Sequence, residues 1–136
     1  MKVAFYKGRK RLFNKLVSWW TRGPYSHCEL VFSDGQSASS SFVDGGVRYK
    51  RILYNNDHWD FIELGPEFDE QKAREWFDDH DSAKYDFMGL VGFVFRRVGD
   101  DRAKYFCNEA VLAALGFSDS WRFDPNSTYA LLDGAK

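Results

Sequence analysis

Apolar and polar residues alternate along the first half of the chain and recur with helical spacing along the second. Residues 2–6 alternate and predict a short strand. Over residues 10–21, Leu12, Phe13, Leu16, Val17, Trp19 and Trp20 predict a helix with a broad apolar face, ended by Gly23-Pro24. Residues 25–33 read as a strand, Asp34-Gly35 as a hairpin turn and residues 36–42 as the returning partner. Asp44-Gly45-Gly46 turns the chain into a strand at 47–52, and residues 59–64 predict another.

After Gly65-Pro66 the period changes. Phe68, Ala73, Trp76, Phe77 and His80 mark an amphipathic helix. Residues 87–98 are apolar nearly all round, with Asp86 placed as N-cap, which predicts a buried helix. Residues 107–115 predict a third helix in this half, stopped by Gly116. Asp124-Pro125 opens a short helix with Asp124 as cap and Pro125 at its first position. Strands followed by helices indicate an α+β domain, an antiparallel sheet packed against helices. With no repeat, low-complexity tract or linker, residues 1–136 are expected to form one domain.

Composition adds material for a core: 44% of the 136 residues are hydrophobic and 18% aromatic, enough to line a cleft as well. The net charge of −1 gives no global bias toward nucleic acid, and no nucleic-acid partner is expected. The charge is nonetheless uneven. Seven lysines and arginines precede the first acid, Glu29, whereas residues 57–81 hold ten acids against Lys72 and Arg74. Such halves most often attract one another. The basic, aromatic segment with Arg11, Lys15, Trp19 and Trp20 also suits peripheral contact with an anionic surface. The N-terminus lacks the apolar run of a signal peptide, and the longest apolar run, 87–95, is about half a membrane span. These features fit synthesis in the cytoplasm, with a virion-associated product as a variant of that expectation. The chain has no zinc-ligand spacing, so neither a metal nor a cofactor is expected.

The candidate chemistry centres on Cys107, which opens the helix of Phe106-Cys107-Asn108-Glu109. A lone cysteine is more often a small buried hydrophobe than a nucleophile. At a helix N-terminus, however, unpartnered N–H groups and the helix dipole favour the thiolate, the form that attacks carbonyls. A base is available in Ser26-His27-Cys28-Glu29. Strand parity puts His27 and Glu29 on one face and turns Cys28 into the core, which makes Cys28 a poor nucleophile. Glu29 is placed either to orient the ring, as the third member of a triad does, or, if two residues along a strand is too far for contact, to face solvent. Ser39, Ser40 or Ser41 on the partner strand is the substitute for that role. A protonated His27 would lower the Cys107 pKa and serve as acid for the leaving group. The Cys107 N–H and the Tyr85 side chain are candidate oxyanion donors. A Cys28–Cys107 disulfide is not expected, because the flanks read as an ordinary strand and helix.

The order Ser26-His27-x-Glu29, then Tyr85-Asp86-Phe87, then Phe106-Cys107-Asn108-Glu109 resembles the circularly permuted branch of the NlpC-like, papain-fold cysteine peptidases and acyltransferases. This branch includes lecithin–retinol acyltransferase-like proteins. Asp124-Pro125-Asn126 resembles the proline-containing turn after the family's cysteine helix, and Asp44-Gly45-Gly46-Val47-Arg48 is similar to phage and prophage members. The resemblance spans residues 3–132 and implies a permuted papain-like fold with the histidine strand before the cysteine helix. It implies Cys107 as nucleophile, His27 as base, Glu29 as third polar residue and Tyr85 as oxyanion donor. Asn108 departs from it, since serine commonly follows the family's cysteine.

The expected function is a thiol hydrolase that cleaves an amide, with a peptide of peptidoglycan as the favoured substrate through the resemblance. A lipid or thioester acyl hydrolase or acyltransferase is the alternative within enzymes. A non-catalytic virion or host-binding module, using Trp19, Trp20 and Trp121 as contact residues, is the alternative outside them.

Overall fold

The computed structural model describes residues 1–8, 23–41, 43–81, 84–85 and 104–134, excepting the side chains of 84–85 and 104–105. The helices expected at 10–21 and 87–98 lie outside the described residues. Within them the chain forms β1 (Lys2–Tyr6), β2 (His27–Val31), β3 (Ser37–Ser41), β4 (Gly46–Lys50), β5 (Trp59–Glu63), α1 (Glu70–Asp79), β6 (Lys84–Tyr85), β7 (Lys104–Tyr105), α2 (Cys107–Ala114), a 3-10 turn (Ser120–Arg122) and α3 (Pro125–Asp133). This is an α+β fold.

The strands pair in the order β5-β1-β2-β3-β4-β6-β7. The first five are antiparallel, whereas the two-residue strands β6 and β7 pair with each other in parallel. Two turns need glycine: Gly35 (φ 81°) between β2 and β3 and Gly45 (φ 86°) before β4 both lie in the left-handed region. β5 does not continue the meander. It returns to the far edge beside β1, with Val3 opposite Ile62 and Phe5 opposite Asp60. There the basic N-terminus meets the acidic stretch: Lys7 binds Asp60 at 2.6 Å and Lys2 approaches Glu63 at 3.8 Å.

The sheet has two unlike faces. Opposed residues in a ladder share a face, so Val3, Phe5, Cys28, Leu30, Ala38, Tyr49 and Ile62 lie together. This face is the apolar core, closed by Ala73 and Phe77 of α1, Ala110, Val111 and Ala114 of α2, and Leu132 of α3. Burying each such Val, Leu, Ile or Phe contributes about 1.5–3 kcal/mol. The opposite face carries His27, Glu29, Ser37, Ser39 and Arg48. There Tyr54 closes over the sheet, its hydroxyl 2.7 Å from Ser37 Oγ and its ring edge-on to Trp59 and Phe61.

The helices follow their sequence signals. Asp69 caps α1 by accepting from the Gln71 and Lys72 N–H groups, and Asp124 caps α3 by accepting from Asn126 and Ser127. α2 has seven of its eight residues buried, so it is a core helix and carries its first residue inside with it. The small side chains of β3, Ser37 to Ser41, are all buried between α2 on one face and Arg48 on the other. No helix among the described residues is long and apolar enough to cross a membrane.

Candidate active site

Cys107 is the first residue of α2, preceded by Phe106 in extended backbone (φ −76°, ψ 163°). Glu109, one turn in, accepts from the Phe106 N–H at 2.9 Å and fixes the entry of the chain. Asn108 ties the same turn to the following segment. Its amide donates to the Phe123 carbonyl, and its Oδ1 lies 3.9 Å from Cys107 Sγ. The residue that departs from the resemblance is therefore a structural tie.

α2 packs on β2 and β3, which brings Cys107 against Cys28 and against His27 at the start of β2. Cys107 is 5% exposed and the His27 side chain 21% exposed, so the pair is recessed but open to solvent on the imidazole side. Trp59 stands edge-on to His27 with ring centroids 6.4 Å apart. His27 Nε2 lies 2.7 Å from Glu29 Oε1, which leaves Nδ1 as the nitrogen for the thiol. Two residues along one strand is thus a workable spacing for an imidazole and a carboxylate.

Glu29 is 1% exposed, and a carboxylate so buried needs a counter-charge. Arg48 of β4 supplies it as a fork: Nη1 donates to Oε2 at 2.7 Å and Nη2 to Oε1 at 2.6 Å. Asp44 holds the far side of the guanidinium through Nε at 2.8 Å and also meets Lys50 at 3.1 Å. Ser39 takes no part at the ring, because its Oγ donates to the Cys28 carbonyl at 2.7 Å.

These contacts set the ionisation. For His27, burial disfavours the imidazolium. The Cys107 sulfur and then Glu29 outweigh that penalty, and the pKa is pushed up to about 10. The Cys107 thiol is held well below its ordinary value by the Cys28 thiol donating to it and by the charge of His27, against the opposing effect of burial. Cys28 moves the other way, raised by burial and by its role as donor. In Glu29, burial opposes ionisation, but the Arg48 fork and then His27 keep the carboxyl below the usual range. Both shifts, and the positive end of α2, favour a thiolate beside an imidazolium.

The structure thus brings together Cys107, His27 and Glu29. Tyr85 is described only as backbone in β6, beside Tyr105 of β7 and two residues before Cys107; its side chain lies outside the described residues. Sequence reasoning missed Arg48, whose signal was a basic residue on the polar face of a strand beside a buried acid. It also missed Asn126, whose amide accepts from the Tyr25 N–H at 2.9 Å and donates to the Tyr25 carbonyl at 3.0 Å, anchoring the approach to β2. Among the described residues no cluster of His, Cys, Asp and Glu could hold a metal ion.

Comparison of the chain with protein-family models, with curated proteins and with solved structures gives no match.

Proposed function

We propose that the protein is a thiol hydrolase that cleaves an amide through an acyl-enzyme on Cys107, built on a permuted papain-like fold. The observation that carries this reading is Cys107 at the start of a buried helix, its thiol pKa lowered beside a His27 whose Nε2 is held by a buried carboxylate. Sγ attacks the carbonyl carbon and forms the C–S bond. The oxyanion faces the first turn of α2, whose N–H groups include that of Cys107. The C–N bond then breaks as His27 gives its proton to the departing amine. Neutral His27 next takes a proton from water, the resulting hydroxide attacks the thioester, and the carboxylic acid leaves as the thiolate returns. Glu29 holds the ring and its charge through both steps. The resemblance of the motif order to the NlpC-like peptidases makes a peptidoglycan peptide the first substrate to try.

The test is incubation with muropeptides and, in parallel, with an acyl thioester, followed by intact-mass measurement of the protein. A mass increase matching an acyl group, carried by Cys107 and absent in Cys107→Ser, supports the reading, and the substrate that acylates decides between amide and lipid-type chemistry. Retention of biological function by Cys107→Ser would instead identify a binding module.

A further inference from the structure

Arg48 reaches Glu29 from two strands away. The register of β2 on β3 pairs Leu30 with Ala38 and Val31 with Ser37, and that of β3 on β4 pairs Ser39 with Arg48. Ser39 therefore sits between Glu29 and Arg48 on one face. Its small side chain is turned to the Cys28 carbonyl, which clears the path for the guanidinium to lie across β3. The result is an alternating row: Asp44 carboxylate, Arg48 guanidinium, Glu29 carboxylate, His27 imidazole and Cys107 sulfur.

We infer that Arg48 is a positioning residue for the reactive thiol: its fork fixes Glu29, and through Glu29 the orientation and charge of His27 against Cys107. This rests on the hydrolase reading and deepens it. Glu29 Oε1 accepts from both Arg48 Nη2 and His27 Nε2, so the guanidinium plane dictates where the carboxylate presents itself to the ring. Arg is suited to this because its planar fork matches a carboxylate at two points, which a lysine ammonium does not.

The electrostatic consequence has one sign by either route. If Arg48 is removed and Glu29 stays ionised, the buried row gains a net negative charge, which opposes a thiolate at Cys107. If Glu29 instead takes up a proton, His27 loses the anion that supports its charge, and Cys107 loses its cation. Both routes make the thiolate harder to form. Among the described residues, the other charged or titratable groups at the row are Lys50 at Asp44, Tyr54 beside Glu29 and Arg48, Cys28 against Cys107, and Glu109 in the first turn of α2. None supplies a cation to Glu29 in place of Arg48.

The experiment is the pH dependence of iodoacetamide alkylation, mapped to the Cys107 peptide, for the wild type, Arg48→Met and Arg48→Lys, each with a cooperative thermal transition. The expected result is fast wild-type alkylation at mildly acidic pH and about a tenfold slower rate there in Arg48→Met, which corresponds to one unit of apparent pKa. Rates converge at alkaline pH, where any thiol ionises. Arg48→Lys keeps the charge without the fork and falls between. A depressed wild-type profile that either variant reproduces overturns the positioning role and leaves the thiolate intact. A wild-type Cys107 that titrates as an ordinary thiol overturns the hydrolase reading, and this inference with it.

Discussion

The two faces of the sheet solve opposite problems with neighbouring residues. On one, Phe5, Leu30 and Phe77 bury apolar surface and stabilise the fold without specifying any chemistry. On the other, Glu29 and Arg48 bury opposite charges, whose desolvation cancels most of their attraction. The apolar face explains why the protein folds. The charged face contributes little net stability, and its geometry is explained by what it holds in place, an imidazole beside a thiol. Cys28 and His27, adjacent in β2, belong one to each face, and Cys107 meets both.

Substitutions can pull the two faces apart. On the apolar face, Phe77→Ala should cost about 3–5 kcal/mol in denaturant unfolding, with the alkylation profile of Cys107 in the folded protein unchanged. On the charged face, Glu29→Gln leaves Arg48 buried against a neutral partner and should cost about 3 kcal/mol. The sharper comparison is the double variant Glu29→Leu/Arg48→Met. It should recover to within about 1 kcal/mol of the wild type, because replacing both members of a buried pair is often neutral, yet its Cys107 should alkylate as an ordinary thiol. A double variant that is both stable and reactive would break the distinction between the faces. Outside both faces, Asn126→Ala strips the Tyr25 backbone of two partners and should cost about 2 kcal/mol, seen as a lowered thermal midpoint.

The pH dependence of stability separates the faces with smaller changes. Above 6.5 and above the lowered value of Cys107, up to 9.0, the unfolded chain keeps one proton on Cys107 and the folded pair keeps one on His27. The proton counts match, so this pair gives stability no slope there. The lowered Cys107 pKa contributes stability that is lost as pH falls through its folded value. Above 9.0 the folded state binds the extra proton until His27 titrates at about 10, and stability falls as pH rises. Raised Cys28 adds to the alkaline loss, while lowered Glu29 and Asp44 add to the acid loss. Urea midpoints across pH should show this plateau. In Cys107→Ser the decline should begin near 6.5, because His27 then keeps a raised pKa through Glu29 without a compensating thiolate.

What could be read from the sequence follows from how local its causes are. The strands β1 to β5, the turn at Gly35, the amphipathic α1 and the caps Asp69 and Asp124 arise from neighbouring residues, although the α1 cap emerged only from the structure. His27 and Glu29 share a face because alternation within a strand is local, and their side chains meet at 2.7 Å. Non-local features were not legible. β5 could have extended the meander from β4, and only the pairing of Val3 with Ile62 returns it to β1. The paired short strands β6 and β7 bear no alternation that could announce them. Arg48 was visible as a residue but not as a partner, since its distance of nineteen residues from Glu29 is bridged only by the register of two ladders. The serines of β3 read as substitutes for the acid, whereas Ser39 Oγ is turned to the Cys28 carbonyl and Ser37 Oγ to the Tyr54 hydroxyl.

The central claim is that the charged face and Cys107 together hold His27 as an imidazolium. Its most direct test is an NMR pH titration of the His27 ring in the wild type and in Cys107→Ser, with His58 and His80 assigned by substitution. The account predicts that His27 stays protonated across neutral pH and titrates near 10, and that loss of the thiol moves it down toward the ordinary histidine value. A His27 that titrates near 6.5 in both proteins would contradict it.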